Sequence, residues 1–174
     1  MQIPIIETKN LILREHRAND FLALKTMWAD PKVVEFISGS PSTEQQSWMR
    51  LLNYLGHWHL LEFGYWAIEE KSSKRYIGEI GFADFKRDIN PPINGIPESG
   101  WVLSSDMHGK GYASEALNAI LDWSDKNLKT DRTVCIIGPD NLKSIKLAEK
   151  CGYVKVVETT FNDKPTIMFS RNKK

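Results

Sequence analysis

Leu103-Ser104-Ser105-Asp106-Met107-His108-Gly109-Lys110-Gly111-Tyr112-Ala113-Ser114-Glu115-Ala116 is the stretch on which the fold turns. A strand ends here, a turn with two glycines follows, and an amphipathic helix begins. The helix rests on Ala113, Ala116, Leu117, Ile120 and Ser124, which fall on one stripe at helical spacing. The first N–H groups of a helix have no partner within it, and the dipole there is positive. Glycines let an anion approach those N–H groups closely. In physical terms the stretch is a cradle for a phosphate or pyrophosphate. The bland alternative is a glycine turn that binds nothing, and the turn alone does not choose between them.

Two known cradles fail to match. A P-loop needs Gly-x-x-x-x-Gly-Lys-Ser/Thr, and here Lys110 precedes Gly111 and Tyr112. A dinucleotide fingerprint needs a third glycine where Ser114 stands. The next strand, Val134-Cys135-Ile136-Ile137, also ends without an acidic partner for a ribose.

Working backward, Ser99-Gly100-Trp101-Val102-Leu103 reads as a strand, and residues 86–97 as a loop rich in Pro, Asn and Gly. Tyr65–Ile68 and Tyr76–Phe82 flank a polar turn, Glu69 to Arg75, which predicts a hairpin. Leu11–Arg14 reads as an opening strand. Asn19 or Asp20 can cap a helix carrying Phe21, Leu24 and Trp28, stopped at Asp30-Pro31. Ser42 and Gln45 form a capping-box pattern, and the helix over 42–60 places Trp48, Leu51, Leu52 and Leu55 on one stripe. Gly64 ends that region. Working forward, Asn141 caps a helix that runs to Cys151, with Gly152 as its left-handed end. Two last strands, near Lys155–Glu158 and Thr166–Phe169, flank Asn162-Asp163-Lys164. Hairpin strands come first, then strand, helix, strand, helix. That order predicts an α+β (mixed α/β) sandwich rather than a Rossmann sheet.

The 174 residues suit a single domain, 1–174, and 41% hydrophobic residues suffice for a packed interior. Lys and Arg number 23 against 22 Asp and Glu, which argues against nucleic acid and anionic membranes as partners. Cys135 and Cys151 read as buried free thiols. Met1-Gln2-Ile3-Pro4 lacks the basic and apolar regions of a signal peptide, and no apolar stretch approaches membrane-spanning length, so a cytoplasmic protein is expected. His57 and His59 are two apart and face differently on a helix, and no metal-ligand spacing appears elsewhere. No Ser-His-Asp or Cys-His arrangement can be argued.

His108-Gly109-Lys110-Gly111-Tyr112-Ala113 resembles the acetyl-CoA signature of the Gcn5-related N-acetyltransferase (GNAT) superfamily, Gln/Arg-x-x-Gly-x-Gly/Ala. Its wording is closest to the branch of ribosomal-protein N-terminal acetyltransferases (RimJ/RimL-like). Three further stretches agree with that branch: Glu7 to Arg14 with its opening strand, Glu98-Ser99-Gly100-Trp101 with its central strand, and Asn141 to Tyr153 with its late helix. The resemblance covers nearly the whole chain. It implies a mostly antiparallel twisted sheet, split into a V between two central strands and flanked by about four helices.

The resemblance also implies a chemistry. Acetyl-CoA would be the cosubstrate, no metal would take part, and the acceptor would be a primary amine on a small molecule or a protein N-terminus. Trp101, Val102 and Leu103 would line the pantetheine arm, with backbone groups of Trp101 and Leu103 turned to the arm and the thioester. His108, Gly109, Lys110, Gly111, Tyr112, Ala113 and Ser114 would hold the pyrophosphate. Asn141 is a helix cap that would also touch the arm. Ala148 stands where many relatives carry a tyrosine that acts as general acid, so Ser144 is the candidate to protonate the leaving thiolate. Glu98, on one strand face with Gly100 and Val102, is the first candidate base, and Glu79 the second. The helix 42–60, crowded with Trp48, His57, Trp58 and His59, and loop 86–97 would wall the acceptor. A silent coenzyme A sensor of the same fold is the alternative, and a homodimer stays open.

Overall fold

The computed structural model describes residues 3–174, leaving Met1 and Gln2 outside. The chain opens with strands β1 (Ile6–Glu7) and β2 (Leu11–Arg14), then helices α1 (Phe21–Ala29), α2 (Pro31–Val34) and α3 (Glu44–Leu61). The hairpin of β3 (Tyr65–Glu70) and β4 (Tyr76–Ala83) follows, and β5 (Glu98–Leu103) leads into α4 (Tyr112–Asn127). Strand β6 (Arg132–Ile137), helix α5 (Leu142–Lys150) and a last hairpin, β7 (Val154–Phe161) with β8 (Lys164–Asn172), complete it. One eight-stranded sheet in the order β1-β2-β3-β4-β5-β6-β8-β7 runs through the molecule.

Every strand pair is antiparallel except β5 with β6, which run parallel and meet at a single register position, Glu98 opposite Val134. The two strands part beyond that point, and this is the V in the sheet. Side chains alternate across a strand, so the sheet has two differently clad faces. Trp66, Ile68, Ile77, Ile80, Phe82 and Leu103 pack with Ala116, Leu117, Ile120 and Leu121 of α4. Tyr65, Ala67, Ala83 and Val102 pack with Leu24, Met27 and Trp28 of α1 and Leu51 and Tyr54 of α3. Strand β4 is buried along its whole length, as expected of a strand covered by helices on both faces.

Three local expectations shift. The capping box of α3 is Thr43 with Gln46, one residue later than Ser42 with Gln45. The buried stripe of α3 is Ser47, Leu51, Tyr54 and Trp58, while Trp48 and Leu52 are exposed. Counting only aliphatic and Trp positions missed a small serine and an amphipathic tyrosine on the inner face. Asp20 does not cap α1; its carboxylate forks the Arg14 guanidinium at 2.8 Å and accepts from the Arg17 N–H. Asn141 does cap α5, accepting from the Ser144 N–H at 3.1 Å. Both cysteines are free and buried, and no helix of the described residues is long and apolar enough to cross a membrane.

Candidate active site

The parting of β5 from β6 leaves a strand edge with unpaired backbone. The Ser104 N–H bonds the Ile77 carbonyl across to β4. Alternation in an antiparallel pair then turns the N–H and C=O of Val102 and Gly100 toward β4, and those of Trp101 and Leu103 the other way. On that other side the Val134 N–H bonds Pro97, and Ser99 Oγ donates to the Val134 carbonyl, before β6 diverges. Trp101 and Leu103 therefore present their backbone groups to the open V. The Leu103 carbonyl is already engaged, because His108 Nε2 lies 3.1 Å from it and a carbonyl can only accept. The two N–H groups remain for a ligand.

That edge runs through the short turn Ser105–Met107 into residues 108–111 and then α4. Gly109 and Gly111 have φ of 78° and 82°, the left-handed region that favours glycine. A Cβ built at either would meet nothing within 4 Å, so both face open space. No side chain caps α4 at Gly111, and the first helical bond is the Glu115 N–H to the Gly111 carbonyl. The N–H groups of Tyr112, Ala113 and Ser114 precede that bond. The first turn of α4 is held from behind. Glu115 accepts from Thr8 Oγ1 at 2.5 Å, the Asn10 N–H at 2.7 Å and Asn10 Nδ2 at 2.8 Å, while the Tyr112 hydroxyl donates to Glu70 at 2.8 Å. The Tyr112 side chain is thus anchored on Glu70, and the unpaired amides of the loop and first turn would fit a pyrophosphate.

Across the V stands α5. The amide oxygen of Asn141 is spent on its cap, leaving Nδ2 to donate. The Ser144 hydroxyl has no hydrogen bond among the described residues and is half-buried. Ala148 is fully buried, and Tyr153 offers no substitute acid. Its hydroxyl is sealed 2.8 Å from Ser99 Oγ and 2.8 Å from Thr133 Oγ1, and burial pushes its pKa up.

The sequence candidates Glu79 and Glu98 lie on the same face as Gly100 and Val102, since Glu79 is opposite Val102 and Ala83 opposite Glu98. Glu79 is completely buried and accepts from Trp28 Nε1 at 2.9 Å, the Tyr76 hydroxyl at 2.9 Å and the Tyr54 hydroxyl. Burial raises its pKa against the pull of these donors. Glu98 is 6% exposed and forked by Arg87, Nε at 2.6 Å and Nη2 at 2.9 Å. Arg87 itself lies between the rings of Phe85 and Phe161, 4.7 and 4.8 Å from their centroids. Loop 84–97 and the last hairpin thereby close over Glu98.

Sequence reading missed Tyr65. Its hydroxyl hangs over Gly100, where an added Cβ would come within 2.1 Å, and its ring stacks on Tyr54 at 4.5 Å and 12°. Burial first, then the charge of Glu98, holds its pKa well above the ordinary tyrosine value, so the phenol stays a donor. The signal was Gly100: a glycine inside a strand marks a close approach. Arg87 and Arg50 were missed too, since nothing in their neighbours announces a contact. Of the residues expected to wall the acceptor, Trp58 instead packs edge-on against Trp66 and Trp123 in the core. His57 meets Phe85, and Trp48 meets Phe21 at the rim.

Comparison with known proteins agrees with this fold. The family model described as "Acetyltransferase (GNAT) domain" matches residues 10–154. The uncharacterized N-acetyltransferase p20 of Bacillus licheniformis is 28% identical over 149 residues, 85% of this chain and 81% of that protein. The crystal structure of an acetyltransferase from Agrobacterium tumefaciens superposes with a TM-score of 0.84 at 27% identity, covering 99% of this chain and 96% of that one. The ribosomal L7/L12 α-N-protein acetyltransferase RimL, solved with coenzyme A, shares the fold with a TM-score of 0.78 at 16% identity, covering 97% and 98%.

Proposed function

Because this chain belongs to the GNAT family of acetyl-CoA-dependent N-acetyltransferases, we propose that it joins acetyl-CoA and a primary amine in one ternary complex, where the amine attacks the thioester directly. One observation carries the reading: the open edge of β5 leads without a break into the amide cradle at 109–114. The pantetheine arm lies along Trp101–Leu103, and the pyrophosphate rests on the N–H groups from Gly109 to Ser114. The Trp101 or Leu103 N–H polarises the thioester carbonyl, whose oxygen gains charge as the nitrogen adds. The C–S bond then breaks as the nitrogen sheds its second proton, and that proton passes to the departing thiolate on the α5 side, with the Ser144 hydroxyl as its relay.

The amine approaches from the Gly100 face, under the Tyr65 hydroxyl. An ammonium has no lone pair, so a proton must leave before attack. Glu98 takes it through water, because its side chain stands two residues from Gly100 on the same face and Arg87 holds it in place. Glu79 is a structural acceptor: it is sealed behind Trp28, Tyr54 and Tyr76. The test is thiol release from acetyl-CoA with a panel of primary amines, followed by mass spectrometry of the product. Release matched by an acetylated amine supports the reading. Binding of coenzyme A with no release from any amine would make the protein a sensor instead.

A further inference from the structure

Arg50 lies on α3, one turn before Tyr54, with its guanidinium 3.5 Å above the ring of Trp28. Its single hydrogen bond among the described residues is a long one, Nη1 to Ser42 Oγ at 3.4 Å. No carboxylate of the described residues forms an ion pair with it. This is unlike Arg14, Arg87 and Arg171, the other arginines that are buried or half-buried, each of which is paired with an acidic side chain. The ring beneath Arg50 donates to Glu79, and Glu79 is opposite Val102 on β5. Arg50 therefore stands on the sheet face where the acceptor must arrive. Its charge opposes the upward push of burial on Tyr54, Tyr65 and Glu79.

A guanidinium whose Cζ sits 3.5 Å from an indole centroid still carries its N–H groups in its own plane, where they can fork a carboxylate. The charges around it point the same way. Both oxygens of Glu98 are held by Arg87, and both of Glu79 by Trp28, Tyr54 and Tyr76. The face has a guanidinium without a carboxylate partner, while each of these carboxylates already has its donors. We propose that Arg50 receives a carboxylate of the acceptor, so that the substrate is an amino acid: an amine carrying its own carboxylate. This rests on the acetyltransferase reading above and names the acceptor class for it.

The experiment compares initial rates of thiol release for the common L-amino acids and their carboxamides, with spermidine and a tetrapeptide amide bearing a free N-terminus alongside. Wild type is expected to favour at least one acid over its amide by tenfold or more in kcat/KM. Arg50→Gln is expected to bring that ratio to about one, chiefly through KM, and Arg50→Lys to keep part of it. Circular dichroism confirms that both variants fold. Equal or faster turnover of the amides, spermidine or the peptide overturns the proposal and leaves the acetyltransferase intact. A preference that survives in Arg50→Gln overturns it as well. Coenzyme A binding with no amine turned over would remove both readings together.

Discussion

Replacing Gly100 by alanine puts a methyl group 2.1 Å from the Tyr65 hydroxyl and 3.2 Å from its Cζ. The tyrosine must retreat by roughly 1.4 Å to reach an ordinary separation of about 3.5 Å. It cannot do so freely, because its ring is stacked on Tyr54 at 4.5 Å, and Tyr54 is tied to Glu79. Overpacking of this kind costs about 1–3 kcal/mol, and each kcal/mol lowers Tm by roughly 2–4 °C in a chain of this size. The floor of the acceptor site moves with the ring, and a misplacement of about 1 Å can cost about 10²-fold in rate. Coenzyme A affinity should hold, since Trp101 and Leu103 present their N–H groups to the opposite edge. Urea unfolding of Gly100→Ala, Tyr65→Phe and the double variant isolates the clash. Removing the hydroxyl should recover at least about 1 kcal/mol in the double variant. A stable Gly100→Ala, or a cycle with no coupling, would refute the placement of Tyr65 over the strand.

Glu98→Gln should lower kcat/KM by about 10²–10⁴, the usual worth of a general base, with coenzyme A affinity unchanged by calorimetry. Full activity in that variant would remove Glu98 from the chemistry. Glu79→Gln should act on stability instead, costing about 1–3 kcal/mol: with the amide oxygen kept on Trp28 and Tyr54, the NH2 faces Tyr76, whose hydroxyl can accept only one of its two protons, and chemical denaturation reads this directly. Gly111→Val should fold with a strain penalty of about 1–2 kcal/mol at φ 82° and lose coenzyme A binding, since its side chain fills the open space before the cradle. Unchanged affinity would put the pyrophosphate elsewhere. His16 is buried without a partner for either ring nitrogen, and burial lowers its pKa from 6.5 to about 4. The unfolded chain then binds the extra proton between those values, so this contribution is complete above pH 6.5 and fades as pH falls toward 4, by about 3 kcal/mol. His16→Phe should flatten that limb of the stability curve, and an equally steep limb would show that another group carries it.

The loop geometry at Gly109 to Ser114 was legible because it is local. Two left-handed glycines and an uncapped amphipathic helix are written in consecutive residues. Asn141 was legible for the same reason, since a cap is decided within four positions. The acceptor side was not. Glu79 looked like a misplaced charge in its strand, and only tertiary packing reveals that Trp28, Tyr54 and Tyr76 converge on it. The inner face of α3 was misread by one step because Ser47 and Tyr54 do not look apolar, although both are buried. The Arg87–Glu98 fork spans a loop rich in Pro and Asn, and nothing in its spacing fixes how that loop folds back. Gly100 was the missed clue, the one strand residue whose lack of a side chain makes room for a distant hydroxyl.

Backbone amide protection measured by hydrogen exchange with and without coenzyme A tests the central claim most directly. The account predicts new protection at Gly109 to Ser114 and at Trp101 and Leu103, whose N–H groups face the V. Val102, already turned toward β4, should not change. Protection that skips these amides, or that falls on Val102 while sparing its two neighbours, would contradict the cleft as the seat of the cofactor.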